Sequence, residues 1–259
     1  MAGAAEVGVV AAEAAIKIVE LAEKQGWLDR LRTAWKKKHR ILVLGASGAG
    51  KTNLLDSLTS AVPKAIDALN RTEFAERRSI RVARQPFIFV DTPGQQLHSS
   101  RRVRAIREGM SAGLSGVLNV VSYGYHETRM GKREAFTRAG EVGKRFLEDR
   151  RADEIAAVRE WAPILGDRDV LKWLITVVTK ADLWWTDKED ILQYYERGPY
   201  FQALGPLQSL NPVVLEYCSV FQKFYGTGSM TGDFQDSDRV ASRARLLQQL
   251  LAAVGRPQG

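Results

Sequence analysis

Short, nearly uninterrupted apolar runs recur along the chain at 41–44, 87–90, 116–122, 173–178 and 213–218. Runs of that length, with no polar alternation, predict strands buried on both faces, as in a parallel sheet. Residues 79–84 alternate instead, with Ile80 and Val82 apolar, and predict a half-buried antiparallel edge strand. Between the runs the spacing turns helical. Leu54, Leu55 and Leu58 mark one helix, and 97–112 a second that is rich in arginine. Val240, Leu246, Leu247, Leu250 and Leu251 mark a last helix, with Asp236 or Ser237 as its cap. Strands alternating with helices predict an α/β fold in three layers: a mostly parallel central sheet, one antiparallel edge strand, and helices on both faces.

Two segments stand outside that alternation. Residues 1–37 predict a helical extension, with Val9, Ile16, Val19, Leu21, Leu28 and Leu31 among its apolar positions and Gly26 as an interruption. Residues 126–172 are long for one crossover and dense in both charge signs, including Arg145, Glu148, Arg150, Arg151, Asp153 and Glu154. They predict an extended, solvated charged helix inside a main domain of residues 38–259.

Directly after the first strand the chain reads Gly45-Ala46-Ser47-Gly48-Ala49-Gly50-Lys51-Thr52, the spacing of a phosphate loop, and a helix follows. The chemistry needs this order. Successive backbone N–H groups curl around a phosphate, a side chain at the glycines would crowd the curl, and the helix turns its positive end to the same anion. Lys51 is placed to reach the outer phosphates, and the Thr52 hydroxyl to ligate Mg2+. The next feature of the same chemistry is Asp91-Thr92-Pro93-Gly94, after the second run at 87–90. Asp91 there is the expected second Mg2+ partner, and Gly94 lets a backbone N–H approach a γ-phosphate. Within the polar stretch 61–78, Thr72 is the best placed residue to reach the metal and the γ-phosphate, and Arg71 could add charge beside it.

Composition narrows the picture only slightly. The 259 residues allow one large α/β domain with attachments. Cys218 is the single cysteine, so an internal disulfide framework is excluded; its apolar surroundings predict a core residue. No signal peptide and no membrane-spanning run is expected, because acidic residues interrupt the first apolar positions and nothing approaches the roughly 18 apolar residues a span needs. The formal charge of +8 attracts acidic partners without choosing among them. Residues 1–40, ending in the basic cluster 36–40, suit either a helix packed on protein or peripheral contact with a membrane. Nucleic acid is compatible with the charge but nothing else supports it.

The Asp91–Gly94 motif, the Gln95 that follows it and the spacing of about forty residues from Lys51 resemble the Ras-like, translation-factor class of small P-loop GTPases. In that class the glutamine after the glycine orients the attacking water, which the resemblance assigns to Gln95, with Gln96 adjacent. Thr179-Lys180-Ala181-Asp182, at the end of the run at 173–178, is similar to the base-reading motif of the same class, with Thr179 where asparagine is commoner. A carboxylate there accepts from guanine N1–H and the 2-amino group, a pattern adenine does not offer. The lysine stem lies along the base. Ser219 falls where the class places a loop against guanine.

The resemblance therefore implies Mg2+-dependent binding of GTP and slow hydrolysis to GDP, in a nucleotide-controlled switch for regulatory or effector proteins. Catalysis would use Gln95 and Lys51; the metal would sit on Thr52, Asp91 and Thr72; guanine would meet Thr179, Lys180, Asp182 and Ser219. The implied location is cytoplasmic, with peripheral membrane attachment and a homodimer both open. The alternative is a GTP-binding module with little hydrolysis, serving as a membrane- or nucleic-acid-associated adaptor.

Overall fold

The computed structural model describes residues 39–58, 87–91, 99–127, 132–166, 171–220, 224–226 and 234–254. The expectations for 1–37, the edge strand at 79–84, Arg71, Thr72, Gly94, Gln95 and Gln96 lie outside those residues. By its contacts the chain divides into two compact units. One comprises Arg40–Lys51 and Phe89–Phe234, and the other Met1–His39, Thr52–Ile88 and Gln235–Gly259.

The first unit is built on a sheet of five strands in the order β2-β1-β3-β4-β5. They are β1 (His39–Gly45), β2 (Phe87–Asp91), β3 (Leu114–Val121), β4 (Leu174–Val178) and β5 (Val213–Glu216). The pairs β1–β3, β3–β4 and β4–β5 are parallel, so the chain crosses over between successive strands, and an α/β fold results. Ile41 to Leu44 and every residue of β4 are buried, which explains runs without alternation. Because β2 and β3 lie on opposite sides of β1, the carboxyl end of β1 is a point where strand order reverses. In open α/β sheets the ligand crevice forms there.

Polar groups inside this sheet are paired. Asn119 on β3 and Thr176 on β4 are register partners. Both meet the hydroxyl of Tyr200, at 2.5 and 3.0 Å, from the short helix Pro199–Ala203. Tyr200 is fully buried, and so is Tyr195 on the helix before it, Lys188–Arg197. The aromatic load after β4 is therefore core packing at Trp184, Tyr195 and Tyr200, while Trp185, Tyr194 and Phe201 pack partly buried against that core.

The helices before and after β3 are α2 (Ser99–Ser111) and, past the short α3 (Lys132–Ala135), the long α4 (Lys144–Gly166). With α1 assigned to residues 51–58, the remaining helices are α5 (Lys188–Arg197), α6 (Pro199–Ala203) and α7 (Asp236–Val254). The expected extended helix is thus α4, and its charge is mostly solvated, as in the Arg150–Asp153 pair. One member departs from that reading. Glu154 is buried, on the same face as Val158, Trp161, Ala162 and Leu165, at spacings of four, seven, eight and eleven residues. Among the described residues no helix is long and apolar enough to cross a membrane.

In the second unit the described part is mainly α7, which buries Val240, Leu246, Leu247, Leu250 and Leu251. It begins at Asp236, so the residue expected as a cap lies inside the helix and Gln235 precedes it; the Asp238 side chain accepts from the amide of Gln235 at 2.9 Å.

Candidate nucleotide site

The site is assembled from the loops that leave β1, β3, β4 and β5. After β1 the chain turns through Gly45 (φ +141°), Gly48 (φ +79°) and Gly50 (φ +92°) before α1. A Cβ on Gly45 would stand 2.3 Å from the carbonyl oxygen of Val120 on β3. One on Gly48 would stand 2.4 Å from that of Glu127. Glycine is required at both on two counts, the positive φ and the close approach of a neighbouring backbone. Ala49 is fully buried, while Ala46, Ser47 and Gly48 are half-buried. Lys51 folds back over this turn, donating from Nζ to the carbonyls of Gly45 (2.9 Å) and Ala46 (3.0 Å). Thr52, the next residue of α1, is exposed. Asp91 closes β2, the strand beside β1.

The base-reading motif begins where β4 ends. Thr179 donates from its hydroxyl to Ala49 O at 2.6 Å and lies 3.0 Å from Val121 O, which also accepts the Thr179 N–H at 2.8 Å. One side chain therefore joins the phosphate turn, the end of β3 and the start of the base motif. Its own carbonyl accepts from Trp184 Nε1 at 2.8 Å. Lys180 adopts a left-handed backbone (φ +59°), which turns its side chain from the strand direction. Its Nζ donates to Tyr125 O at 2.6 Å, lies 3.9 Å from a Glu127 oxygen and stands 5.8 Å from the ring centre of Phe224. Burial pushes the Lys180 ammonium down to about 8, against the opposing pull of Glu127 and Asp182.

Asp182 is fully buried at the start of a 3-10 turn, and Ala181 N–H donates to Tyr217 O, tying the motif to the end of β5. The thiol of Cys218 points at Asp182 Oδ1 from 3.4 Å. Cys218 is the core residue its surroundings predict, and it also touches the carboxylate of the base motif. The neighbouring Ser219, expected against the base, is half-buried just beyond it.

The structure thus brings Gly45–Lys51 together with Thr179–Asp182 and Cys218. It also adds the 122–127 loop after β3, which sequence reasoning did not single out. Backbone atoms of Glu127 adjoin Gly48, its carboxylate accepts from Tyr225 N–H at 2.6 Å, and Tyr125 receives Lys180. Nothing in residues 122–127 follows a motif, so only the fold reveals the loop as a wall of the site. Glu154 did carry a signal, its helical spacing from Val158 and Trp161 on an otherwise apolar face.

A strand, a glycine turn with a folded-back lysine, and a lysine–aspartate pair at the end of a parallel strand define a P-loop GTPase-like domain. The sequence model of the family described as 50S ribosome-binding GTPase matches residues 40–181, more than half the chain, and the chain belongs to that family. No curated protein matches. Among solved structures, the chain is similar to an ADP-ribosylation factor-like GTP-binding protein, the small COPII coat GTPase SAR1 of Encephalitozoon cuniculi, in complex with GDP. That likeness spans 92% of this chain and 89% of the other, at 16% identity and a TM-score of 0.38.

Proposed function

We propose that this chain binds GTP in an Mg2+-dependent manner, hydrolyses it slowly to GDP, and acts as a nucleotide-controlled switch for a protein partner. Membership of the GTPase family supports guanine-nucleotide binding. The observation that carries the reading furthest is the Thr179 hydroxyl on Ala49 O, because it couples the phosphate turn to the segment holding Lys180 and Asp182. In this reading the amides of Gly45, Ala46, Ser47, Gly48, Ala49 and Gly50 cradle the phosphates, and Lys51 shifts its Nζ from two carbonyls to phosphate oxygens. Thr179, Lys180, Asp182 and Ser219 face the base. Asp182 accepts from guanine and not from adenine.

Thr52 and Asp91, with Thr72, would hold Mg2+. They are all oxygen donors, which suits a hard cation, and Thr52 is exposed at the start of α1. When bound, the ion neutralises charge on the phosphates. Gln95 would orient the attacking water and Gly94 would sense the γ-phosphate, so that hydrolysis releases the segments around Thr72 and Gly94. The domain is assigned to 38–259, with 1–37 as an extension, and the location to the cytoplasm, with peripheral membrane contact through 1–40.

The test is competition between GTP and ATP on the intact protein and on Asp182→Ala, followed by single-turnover cleavage of GTP with and without Mg2+. Guanine preference that vanishes in the variant is the expected result; equal GTP affinity in both proteins refutes the base assignment. Binding without cleavage would leave a GTP-binding module in place of an enzyme.

A further inference from the structure

Glu154 sits in the middle of α4 with its side chain 1% exposed, and three of the four bonds its carboxylate makes run to the 122–127 loop. Its Oε1 accepts from the N–H groups of Ser122 (2.9 Å) and Gly124 (3.3 Å) and lies 2.7 Å from Nε2 of His126, which must donate when it faces a carboxylate. Its Oε2 accepts from the Tyr195 hydroxyl at 2.5 Å. Tyr195 in turn accepts from Tyr123 N–H at 2.9 Å, so it grips the same loop from a second helix. That loop needs holding. Tyr123 has φ +52°, a left-handed conformation that is unfavourable for a residue with a Cβ.

The other side of the loop meets the nucleotide site. Tyr125 O receives Lys180 Nζ, a Glu127 oxygen stands 3.9 Å from the same ammonium, and the Glu127 backbone leaves Gly48 room for no side chain. Glu154 is therefore one loop removed from both the base motif and the phosphate turn. It touches neither directly.

We propose that Glu154, acting through the 122–127 loop, is a positioning residue for the guanine nucleotide, fixing where Lys180 lies along the base. The proposal rests on the GTP-binding reading above. An acid buried only for structure would weaken the fold without depending on Lys180. A positioning acid loses its effect once Lys180 is gone, because the two then act on one path.

The experiment uses the intact chain, with thermal unfolding and the release rate of a fluorescent GDP analogue measured for the wild type, Glu154→Gln, Tyr195→Phe, Lys180→Met and the Glu154→Gln/Lys180→Met double variant. Glutamine keeps the shape and one acceptor oxygen but loses the charge. GDP release is expected to quicken about tenfold in Glu154→Gln and about threefold in Tyr195→Phe, the effect of weakened hydrogen bonds to a charged group. In the Lys180→Met background Glu154→Gln should add less than about twofold. The same acceleration in both backgrounds overturns the proposal. So does unchanged release in Glu154→Gln with a lowered melting temperature. Should Glu154→Gln fail to fold, Tyr195→Phe alone and combined with Lys180→Met carries the same comparison. A wild type that binds no guanine nucleotide overturns the functional reading as well, whereas normal wild-type binding with unaffected variants overturns this inference alone.

Discussion

Replacing Thr179 by valine probes the joint of the site with almost no change of shape. Thr179 is 4% exposed, and its hydroxyl is the partner of Ala49 O at 2.6 Å. The second acceptor, Val121 O, keeps the Thr179 N–H at 2.8 Å, so only the Ala49 carbonyl is left without this donor. Stranding a buried acceptor costs about 1–3 kcal/mol. The extra methyl in an apolar site returns about 0.8 kcal/mol. The net loss lies between about 0.2 and 2.2 kcal/mol and centres on about 1 kcal/mol, which for a chain of this size is a central fall in melting temperature of about 2–5 °C. The bond joins two groups of the protein itself, so the fall should appear in the nucleotide-free protein as well. Scanning calorimetry on wild type, Thr179→Val and Thr179→Ser measures it, and serine, which keeps the hydroxyl, should stay close to wild type. A valine variant that melts within about 1 °C of wild type would show that the hydroxyl does not hold the phosphate turn.

Three further outcomes follow from the same geometry. Gly48→Ala places a methyl against the Glu127 carbonyl at positive φ, so GDP affinity should fall at least about tenfold; titration of a fluorescent analogue within twofold of wild type would count against the fit of loop to turn. Lys180 is held down to about 8 by burial, from an ordinary 10.5. Below about 8 both folded and unfolded chains keep the proton and the cost of burial is complete; between about 8 and 10.5 the unfolded chain holds more protons, so stability rises with pH. Wild type should therefore gain on Lys180→Met as pH rises through that window, and thermal melts showing the reverse trend would refute the burial argument. Burial alone would raise the Glu154 carboxyl, but the bonds from His126, Ser122 N–H and Tyr195 outweigh it and hold the group below 4.5. Its stabilisation is complete above 4.5 and is lost as pH falls below that, so acid unfolding should start earlier in wild type, relative to its neutral stability, than in Glu154→Gln.

The parallel strands were readable because burial on both faces removes alternation, and the sheet runs where the apolar runs do. Their ends shift by a residue or two. Trp173 precedes β4, where its ring packs over Gly116 so closely that a Cβ there would lie 2.0 Å away. Glycine inside an apolar run gives no hint of which ring covers it. The phosphate turn and the base motif were readable because their chemistry fixes both residue type and spacing. The 122–127 loop was not, since it works through backbone groups that any sequence supplies. Cys218 and Glu154 fall between these cases. The apolar setting of Cys218 announced burial but not its contact with Asp182, and the charge of Glu154 concealed a place on the apolar face that its spacing disclosed.

The tie between Asn119, Thr176 and Tyr200 also bears on how the chain finds its fold. Apart from residues such as Asn119 and Thr176, β3 and β4 are apolar runs that slide past each other at little hydrophobic cost, so nothing greasy tells one alignment from the next. Moving β4 along by one residue would turn Thr176 to the opposite face and take its hydroxyl away from the buried Tyr200 hydroxyl, a loss of about 0.5–1.5 kcal/mol for the bond. Tyr200 thus proofreads strand alignment. By fixing β4 against β3, it also fixes how far the Thr179 hydroxyl reaches toward the phosphate turn.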